Sequence, residues 1–273
     1  MAENGARSAA FFDLDKTLMQ GSSGFQFARA VREAGLMSRR QLVNDGIANL
    51  RYRLKGAGDE QAEALRARIA TSLEGMRVRD LQRLGVHVMQ RILPRLYPQM
   101  LTIAYAHQDA GRPVYIVTAA SQDMAEMLAR VMTFDGALGS SLSEIEDGVY
   151  TGRPSGTFLY GPAKAVALEQ LAAREGFDLS QCYAYSDSFS DAPMLRAVGH
   201  PVVVNPDADL DALARDGDWE ILRLDRLGRK LALASMLGVA VLASGATAAF
   251  LKLTNRHIEL PAFPPLPRLP SRS

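Results

Sequence analysis

The second half of the chain alternates strand-like and helix-like segments, and this alternation constrains the fold more than any other feature. Runs rich in β-branched and small apolar residues predict strands at 113–118, 182–186 and 201–204, with strand pieces at 136–142 and 149–150. Helical patterns fall at 97–110, 121–132 (capped by Ser121), 162–175 and 192–198. A further apolar run, 8–14, predicts a buried strand near the N-terminus. Such alternation predicts an α/β fold, a Rossmann-like three-layer arrangement with a mostly parallel sheet between helices.

The region from about Phe25 to Pro98 has a different character. Apolar residues recur there at helical spacing, most clearly in 59–72, where Leu65 and Ile69 would face inward. We see no strand in this region, so it predicts an all-helical insertion. The predicted division is a discontinuous core at 8–20 and 99–225 with a helical cap at 21–98. Hinges near Gly21 and Pro98 would let the cap open and close.

The C-terminal region predicts attachment to a membrane. Residues 231–251 carry no charged side chain and are long enough to span the hydrocarbon core of a bilayer, although a buried or interfacial helix would also fit. Basic residues flank this segment on both sides, and the N-terminus lacks the pattern of a signal peptide. We therefore expect a cytoplasmic catalytic domain anchored by this C-terminal hydrophobic helix, followed by a proline-rich tail at 259–273.

Charge and cysteine content exclude several classes of protein. Lys and Arg number 31 against 30 Asp and Glu, so the basic excess of a typical nucleic-acid binder is missing and no nucleic-acid partner is expected. Cys182 is the single cysteine, which rules out an intrachain disulfide and a cysteine-rich zinc site.

The first candidate site follows the N-terminal strand. Asp13 and Asp15 are two residues apart, so on an extended segment their side chains would point the same way. Asp13 could attack phosphorus as a nucleophile, and Asp15 could protonate the leaving group and then activate water. A pair of ordinary turn aspartates is the alternative.

Three further features fall at strand or helix ends. Thr118 ends a predicted strand, and its hydroxyl with the nearby backbone N–H groups, including that of Ala119, could bind an anion, although for this feature alone an ordinary helix cap is the better interpretation. Lys164 sits near a helix N-terminus against the helix dipole, which suggests an anionic partner such as phosphate or a carboxylate.

The third feature is an acidic loop that directly follows the strand at 182–186. Asp187 and Asp191 lie four residues apart around Ser188, and Asp187 is the better candidate ligand for magnesium. Asp191 could bind through water, or hold Lys164 or the loop.

In this order and with these strands, the four features resemble the motifs of the haloacid dehalogenase superfamily of phosphohydrolases. The resemblance covers about residues 8–206. It implies that the Asp13 carboxylate, the Asp15 backbone carbonyl and the Asp187 carboxylate hold Mg²⁺. It also implies that Thr118, Ala119 and Lys164 bind phosphate, with Asp191 and Ser188 in support.

The inserted helical cap is similar to that of the subfamily IB branch, which includes phosphoserine phosphatases. Those enzymes carry a glutamate shortly after the first motif, whereas 20–24 here (QGSSG) contains no carboxylate. This departure argues against phosphoserine as the substrate. Arg51 and Arg53 could meet an anionic group, although solvated helix positions are the simpler interpretation.

The resulting hypothesis is hydrolysis of a phosphomonoester, either a small molecule or a lipid head group. Transfer of the phosphoryl group to another acceptor would use the same intermediate and stays open. A membrane-tethered regulatory protein without activity and a generic metal-binding module are the alternatives from other classes. Neither explains why all four motif positions carry the residue types that the chemistry requires.

Overall fold

Six of the described strands form one parallel sheet, which confirms the predicted α/β fold class. The computed structural model describes residues 7–35 and 59–224, and within helix 59–72 it describes side chains from residue 63 onward. The sheet order is β3-β2-β1-β6-β7-β8, and every neighbouring pair is parallel. The strands are β1 Ala10–Phe12, β2 Val114–Ser121, β3 Gly136–Ser140, β4 Ile145–Glu146, β5 Val149–Tyr150, β6 Tyr183–Ser186, β7 His200–Val204 and β8 Glu220–Leu222.

Helices cover both faces of the sheet. The described helices are α1 Ser23–Glu33, α2 Asp59–Ser72, α3 Val78–Arg83, α4 Gly85–Ile92, α5 Pro98–Asp109, α6 Gln122–Val131, α7 Pro162–Glu175, α8 Ala192–Arg196 and α9 Ala208–Asp216. The side chains of β1 alternate between the two faces of the sheet, and helices cover both faces. Phe12 packs in the cluster that includes α5 and α6, whereas Phe11 packs in the cluster that includes α7, α8 and α9. The continuous apolar run therefore reflects a central strand with two covered faces.

The described part of the predicted insertion is helical, with α1 to α4 in place. Val31, Leu73, Leu81 and Leu84 form a small apolar cluster of their own, apart from the two clusters that cover the sheet. The two connections to the core run side by side. The Gln20 N–H donates to the Arg95 carbonyl (2.8 Å), and the Tyr97 N–H donates to the Leu18 carbonyl (2.9 Å). The predicted boundaries and hinges stay predictions.

The hairpin β4–β5 lies outside the main sheet and contacts the cap. Asp147 and Gly148 both adopt positive φ (51° and 75°), as a tight two-residue hairpin turn requires. The Tyr150 N–H donates to the Met76 carbonyl (2.9 Å), and the Val78 N–H donates to the Gly148 carbonyl (3.0 Å). This hairpin therefore ties the core to the segment between α2 and α3.

Two element boundaries correct the sequence analysis. Strand β1 ends at Phe12, so Asp13 follows the strand instead of lying within it. Strand β2 continues past Thr118 to Ser121, with a register shift against β3. After the predicted strand at 201–204, the chain continues with α9 and β8, which the sequence analysis did not predict. Strand β8 is a three-residue edge strand, too short for a clear hydrophobic alternation.

Several predictions fall outside the described residues. These are the hydrophobic segment 231–251, the tail 259–273, and Arg51 and Arg53. Within residues 7–35 and 59–224, none of the helices is long and apolar enough to cross a membrane.

Candidate active site

The predicted site residues converge at the carboxyl ends of the parallel strands, where ligand crevices form in such sheets. A cavity of about 580 Å³ opens there. Its described lining includes every site residue that the sequence suggested: Asp13, Asp15, Thr118, Ala119, Lys164, Asp187, Ser188 and Asp191. We use the name charged floor for six lining residues: Asp13, Asp15, Lys16, Lys164, Asp187 and Asp191.

Asp13 lies at the centre of the charged floor. Its backbone N–H donates to the Tyr185 carbonyl (2.9 Å), which fixes it between β1 and β6. Its Oδ1 accepts a hydrogen bond from Lys164 Nζ at 2.6 Å, and the same ammonium donates to Asp191 Oδ2 at 2.7 Å. All three side chains are buried. The two carboxylates offset the unfavourable position of Lys164 at the N-terminus of α7.

Burial and crowding shift the acid–base properties of this cluster. Burial raises the pKa of Asp13 to about 8; Lys164 opposes the shift, and the carboxylates of Asp191, Asp187 and Asp15 add to it. Burial alone would lower the pKa of Lys164, but Asp13 and Asp191 raise it, so the ammonium stays charged. Burial also raises the pKa of Asp187 to about 6, against the effect of Lys16.

Asp15 connects the charged floor to the cap. Its Oδ1 accepts a hydrogen bond from the Ser23 N–H at 2.7 Å, in the first turn of α1. The chain turns after Leu14, whose carbonyl accepts from both Leu18 and Met19 N–H. Asp13 and Asp15 therefore share the cavity because of this turn, and not because of the side-chain alternation of an extended strand.

The acidic loop after β6 is held by short local hydrogen bonds. Ser186 Oγ donates to Asp191 Oδ2 (2.7 Å), and Ser188 Oγ caps the short 3-10 turn that ends at Asp191. Asp207 is a residue that the sequence analysis missed. Its N–H donates to the Asp187 carbonyl (3.0 Å), and its Oδ2 accepts from the Phe189 N–H (2.9 Å), so the start of α9 braces this loop.

Lys16 is the second residue that the sequence analysis missed. Its Nζ donates to Asp187 Oδ2 at 3.1 Å, and its side chain is about half exposed. The backbone of Lys16 has φ 59°, a conformation that residues other than glycine seldom adopt. The signal in the sequence for a role at the site was that Lys16 directly follows Asp15, in the loop that carries both Asp13 and Asp15.

Thr118 is buried beside the charged floor. Its Oγ1 accepts a hydrogen bond from the Ala120 N–H (3.2 Å), while Ala119 is half-buried and lines the cavity. Thr118 and Ala119 line the same cavity as Asp13, so the Thr118 hydroxyl, which can donate as well as accept, is available to an anion there.

The charged floor fits a divalent cation by its charge. With all four carboxylates ionised, the floor carries two more negative than positive charges, and a bound cation would favour this ionised form against the raised pKa values of Asp13 and Asp187. In the described ranges, no group of three or more Asp, Glu, His or Cys side chains is arranged so that these side chains alone could coordinate a metal ion. Magnesium does not need such a cage, because it binds through one or two carboxylates together with waters and substrate phosphate.

Comparisons with known proteins identify the family of the chain. Residues 10–196 match the haloacid dehalogenase-like hydrolase family. A Mycobacterium tuberculosis protein named phosphoserine phosphatase is 38% identical over 246 residues, which cover 89% of this chain and 79% of that protein.

Solved structures have the same fold. A Bordetella pertussis protein of unknown function is 27% identical, with a TM-score of 0.67 over 80% of this chain and 98% of its own. A phosphoserine phosphatase captured as a phospho-aspartyl intermediate analogue shares the fold, with a TM-score of 0.60 at 19% identity, over 84% of this chain and 99% of its own. The chain therefore belongs to the haloacid dehalogenase-like hydrolases and is an enzyme of their phosphatase type.

Proposed function

We propose that this phosphatase hydrolyses phosphomonoesters through a covalent phospho-aspartate on Asp13. The observation that carries the proposal is the buried Asp13 carboxylate at the centre of the charged floor, 2.6 Å from the Lys164 ammonium. Lys164 binds Oδ1 and leaves Oδ2 to attack phosphorus. The ion pair therefore orients the nucleophile, as covalent catalysis requires.

The reaction takes place in two displacements. Asp13 Oδ2 forms a bond to phosphorus as the bond to the leaving oxygen breaks, and Asp15 gives its proton to that oxygen. Asp15 then takes a proton from water, and this water attacks the phosphorus of phospho-Asp13. Inorganic phosphate leaves, and the Asp13 carboxylate is regenerated. The hydrogen bond from the Ser23 N–H holds Asp15, which serves as the acid in the first displacement and as the base in the second.

The remaining residues bind the phosphoryl group. Lys164 and the Thr118 hydroxyl supply positive charge and a hydrogen-bond donor beside Asp13, with the backbone at Ala119 next to them. Asp191 holds Lys164 through the 2.7 Å contact, and Ser188 shapes the loop that carries Asp187. Such fixed groups stabilise the charge that develops in the transition state.

Asp13, the Asp15 backbone carbonyl and Asp187 would hold Mg²⁺. Bound there, the metal would neutralise phosphate charge and favour in-line attack. Lys16 contacts the Asp187 carboxylate and would have to move or share it.

The substrate is a phosphorylated small molecule. One relative is named a phosphoserine phosphatase, but the segment 20–24 of this chain carries no carboxylate to meet an amino group. A lipid head group would suit the predicted membrane attachment through 231–251. That attachment is tested by following the full chain and a truncation at residue 230 in membrane and supernatant fractions.

Phosphate release from a panel of phosphomonoesters, with Mg²⁺ and with EDTA, tests the proposal. We expect Mg²⁺-dependent release that falls at least about a thousandfold in Asp13→Asn, because the nucleophile is lost. Asp109→Asn is the matched control, since it makes the same change at an exposed position at the end of α5. Release that persists in Asp13→Asn, or in EDTA, would contradict the proposal.

A further inference from the structure

The cavity above the charged floor has walls of a different chemistry. The cap contributes a set of apolar side chains from α1, α2 and the turn after α2, which we call the apolar wall: Phe27, Val31, Leu65, Ile69, Leu73 and Met76. At about 580 Å³, the cavity has the size of a pocket for a drug-sized molecule, which falls between about 300 and 1,000 Å³. A phosphoryl group on the floor would fill only a part of it.

Aromatic side chains also line this cavity. Phe158 and Tyr160 stack with ring centres 6.1 Å apart and 15° between their planes, and both line the cavity. Phe189 follows the acidic loop and also lines the cavity, yet it is 45% exposed. An apolar group that entered the cavity would cover these rings.

In the part of the cap that the structure describes, the cavity lining offers no acidic partner for a charged amine, and the cation Arg68 of α2 would repel one. Among the described residues of α1 and α2 that line the cavity, none is Asp or Glu. An ammonium group held against the apolar wall would lose its hydration without a carboxylate in return, which is unfavourable.

We propose that the substrate is a phosphomonoester whose leaving alcohol carries a mainly apolar body. This inference rests on the proposed function and adds the substrate class. The phosphoryl group lies on the charged floor, and the body lies between the apolar wall and the aromatic side chains of Phe158, Tyr160 and Phe189. Burial of that body supplies binding energy remote from phosphorus, which accelerates turnover of the matching ester.

A series of alkyl phosphates tests this inference. Ethyl, butyl and hexyl phosphate, 2-phenylethyl phosphate, phosphoethanolamine and O-phosphoserine all release primary alcohols, so their differences report mainly on the body that is bound. We expect kcat/KM to rise by up to about fourfold for each methylene that becomes buried. We also expect hexyl and 2-phenylethyl phosphate to exceed O-phosphoserine at least about tenfold.

A cavity-filling variant ties the effect to the apolar wall. Ala28 lies on α1 and lines the cavity, so Ala28→Phe should reduce the ratio of kcat/KM for hexyl over ethyl phosphate. Ala34→Phe makes the same change at the exposed end of α1 and should keep the wild-type ratio. A ratio measured within each variant does not depend on the amount of folded protein.

The outcomes separate this inference from the proposed function. Acetyl phosphate, which has almost no body, reports on the chemistry of the charged floor alone. Turnover of acetyl phosphate with a flat alkyl series, or with O-phosphoserine preferred, would overturn the inference and leave the proposed function standing. Failure to turn over any compound, acetyl phosphate included, would overturn both.

Discussion

The charged floor and the apolar wall face each other across one cavity and differ in almost every property. The floor comes from strand ends of the core and the start of α7, and consists of carboxylates and ammonium groups, most of them buried, whose ion pairs measure 2.6 to 3.1 Å. The wall comes from cap helices and consists of aliphatic and aromatic side chains. The difference separates two tasks. The sheet carries the proposed reactive groups, and the inserted helices carry the contacts that we propose select a substrate.

The largest expected effect on stability comes from breaking the buried ion pairs of the floor. Lys164→Met leaves Asp13 and Asp191 buried without their cation, and loss of one partner from such a pair costs about 3 to 5 kcal/mol. Urea unfolding in EDTA would measure this change in the free energy of unfolding.

Lys16→Met is the matched control for Lys164→Met. It removes the same kind of charge from the same floor, but the Lys16 side chain is 47% exposed. We expect less than about 1 kcal/mol, because exposed pairs contribute little. Equal effects of the two substitutions would show that burial does not set the strength of these pairs.

The second prediction concerns the cluster behind the apolar wall. Leu84 is buried against Val31, Leu73 and Leu81 and does not line the cavity. Leu84→Ala should destabilise the cap by about 2 to 3 kcal/mol through the space it leaves. Hydrogen exchange should become faster in α1 and α3, while the sheet strands β1 and β6 keep their protection. Equal acceleration in the sheet would show that cap and core unfold as one unit.

How much of the molecule could be predicted differs between the two regions. The floor could be predicted because its carboxylates directly follow strands, and parallel strands end at one edge of a sheet. Lys16 and Asp207 were missed because their contacts depend on loop conformation, a positive φ in one case and the position of α9 in the other.

The wall was harder to foresee. Leu65 and Ile69 have the spacing of ordinary core residues, and the sequence predicted only that they face inward. In the structure both line the cavity. Whether an apolar helical face packs against protein or against a cavity depends on tertiary contacts that the helical period does not encode.

The smallest expected effect concerns His107, a buried histidine of α5 that stays neutral, in contrast to the charged groups of the floor. Arg112 Nε donates to His107 Nδ1 (2.7 Å), so the other nitrogen, Nε2, carries the proton and donates to the Tyr185 hydroxyl (2.8 Å). Burial lowers the pKa of His107 to about 4, and Arg112 adds to the shift.

The sign of the pH effect follows from this lowered pKa. Between about pH 6.5 and pH 4 the unfolded chain binds a proton at His107 that the folded chain does not. This contribution to stability is therefore complete above pH 6.5 and is lost as the pH falls to 4, by at most about 1.4 kcal/mol for each pH unit. Unfolding curves of wild type and His107→Gln at several pH values would isolate it. Parallel curves across that range would contradict the assignment.

The covalent step on Asp13 is the central claim, and rapid acid quench during turnover tests it most directly. Enzyme is mixed with acetyl phosphate and Mg²⁺, quenched at millisecond times and digested, and its peptides are examined by mass spectrometry. We predict a phosphoryl group on the peptide that carries Asp13, formed and lost at rates compatible with turnover and missing in Asp13→Asn. Turnover without phosphoryl-Asp13 at any quench time, or with the phosphoryl group on another residue, would contradict the account.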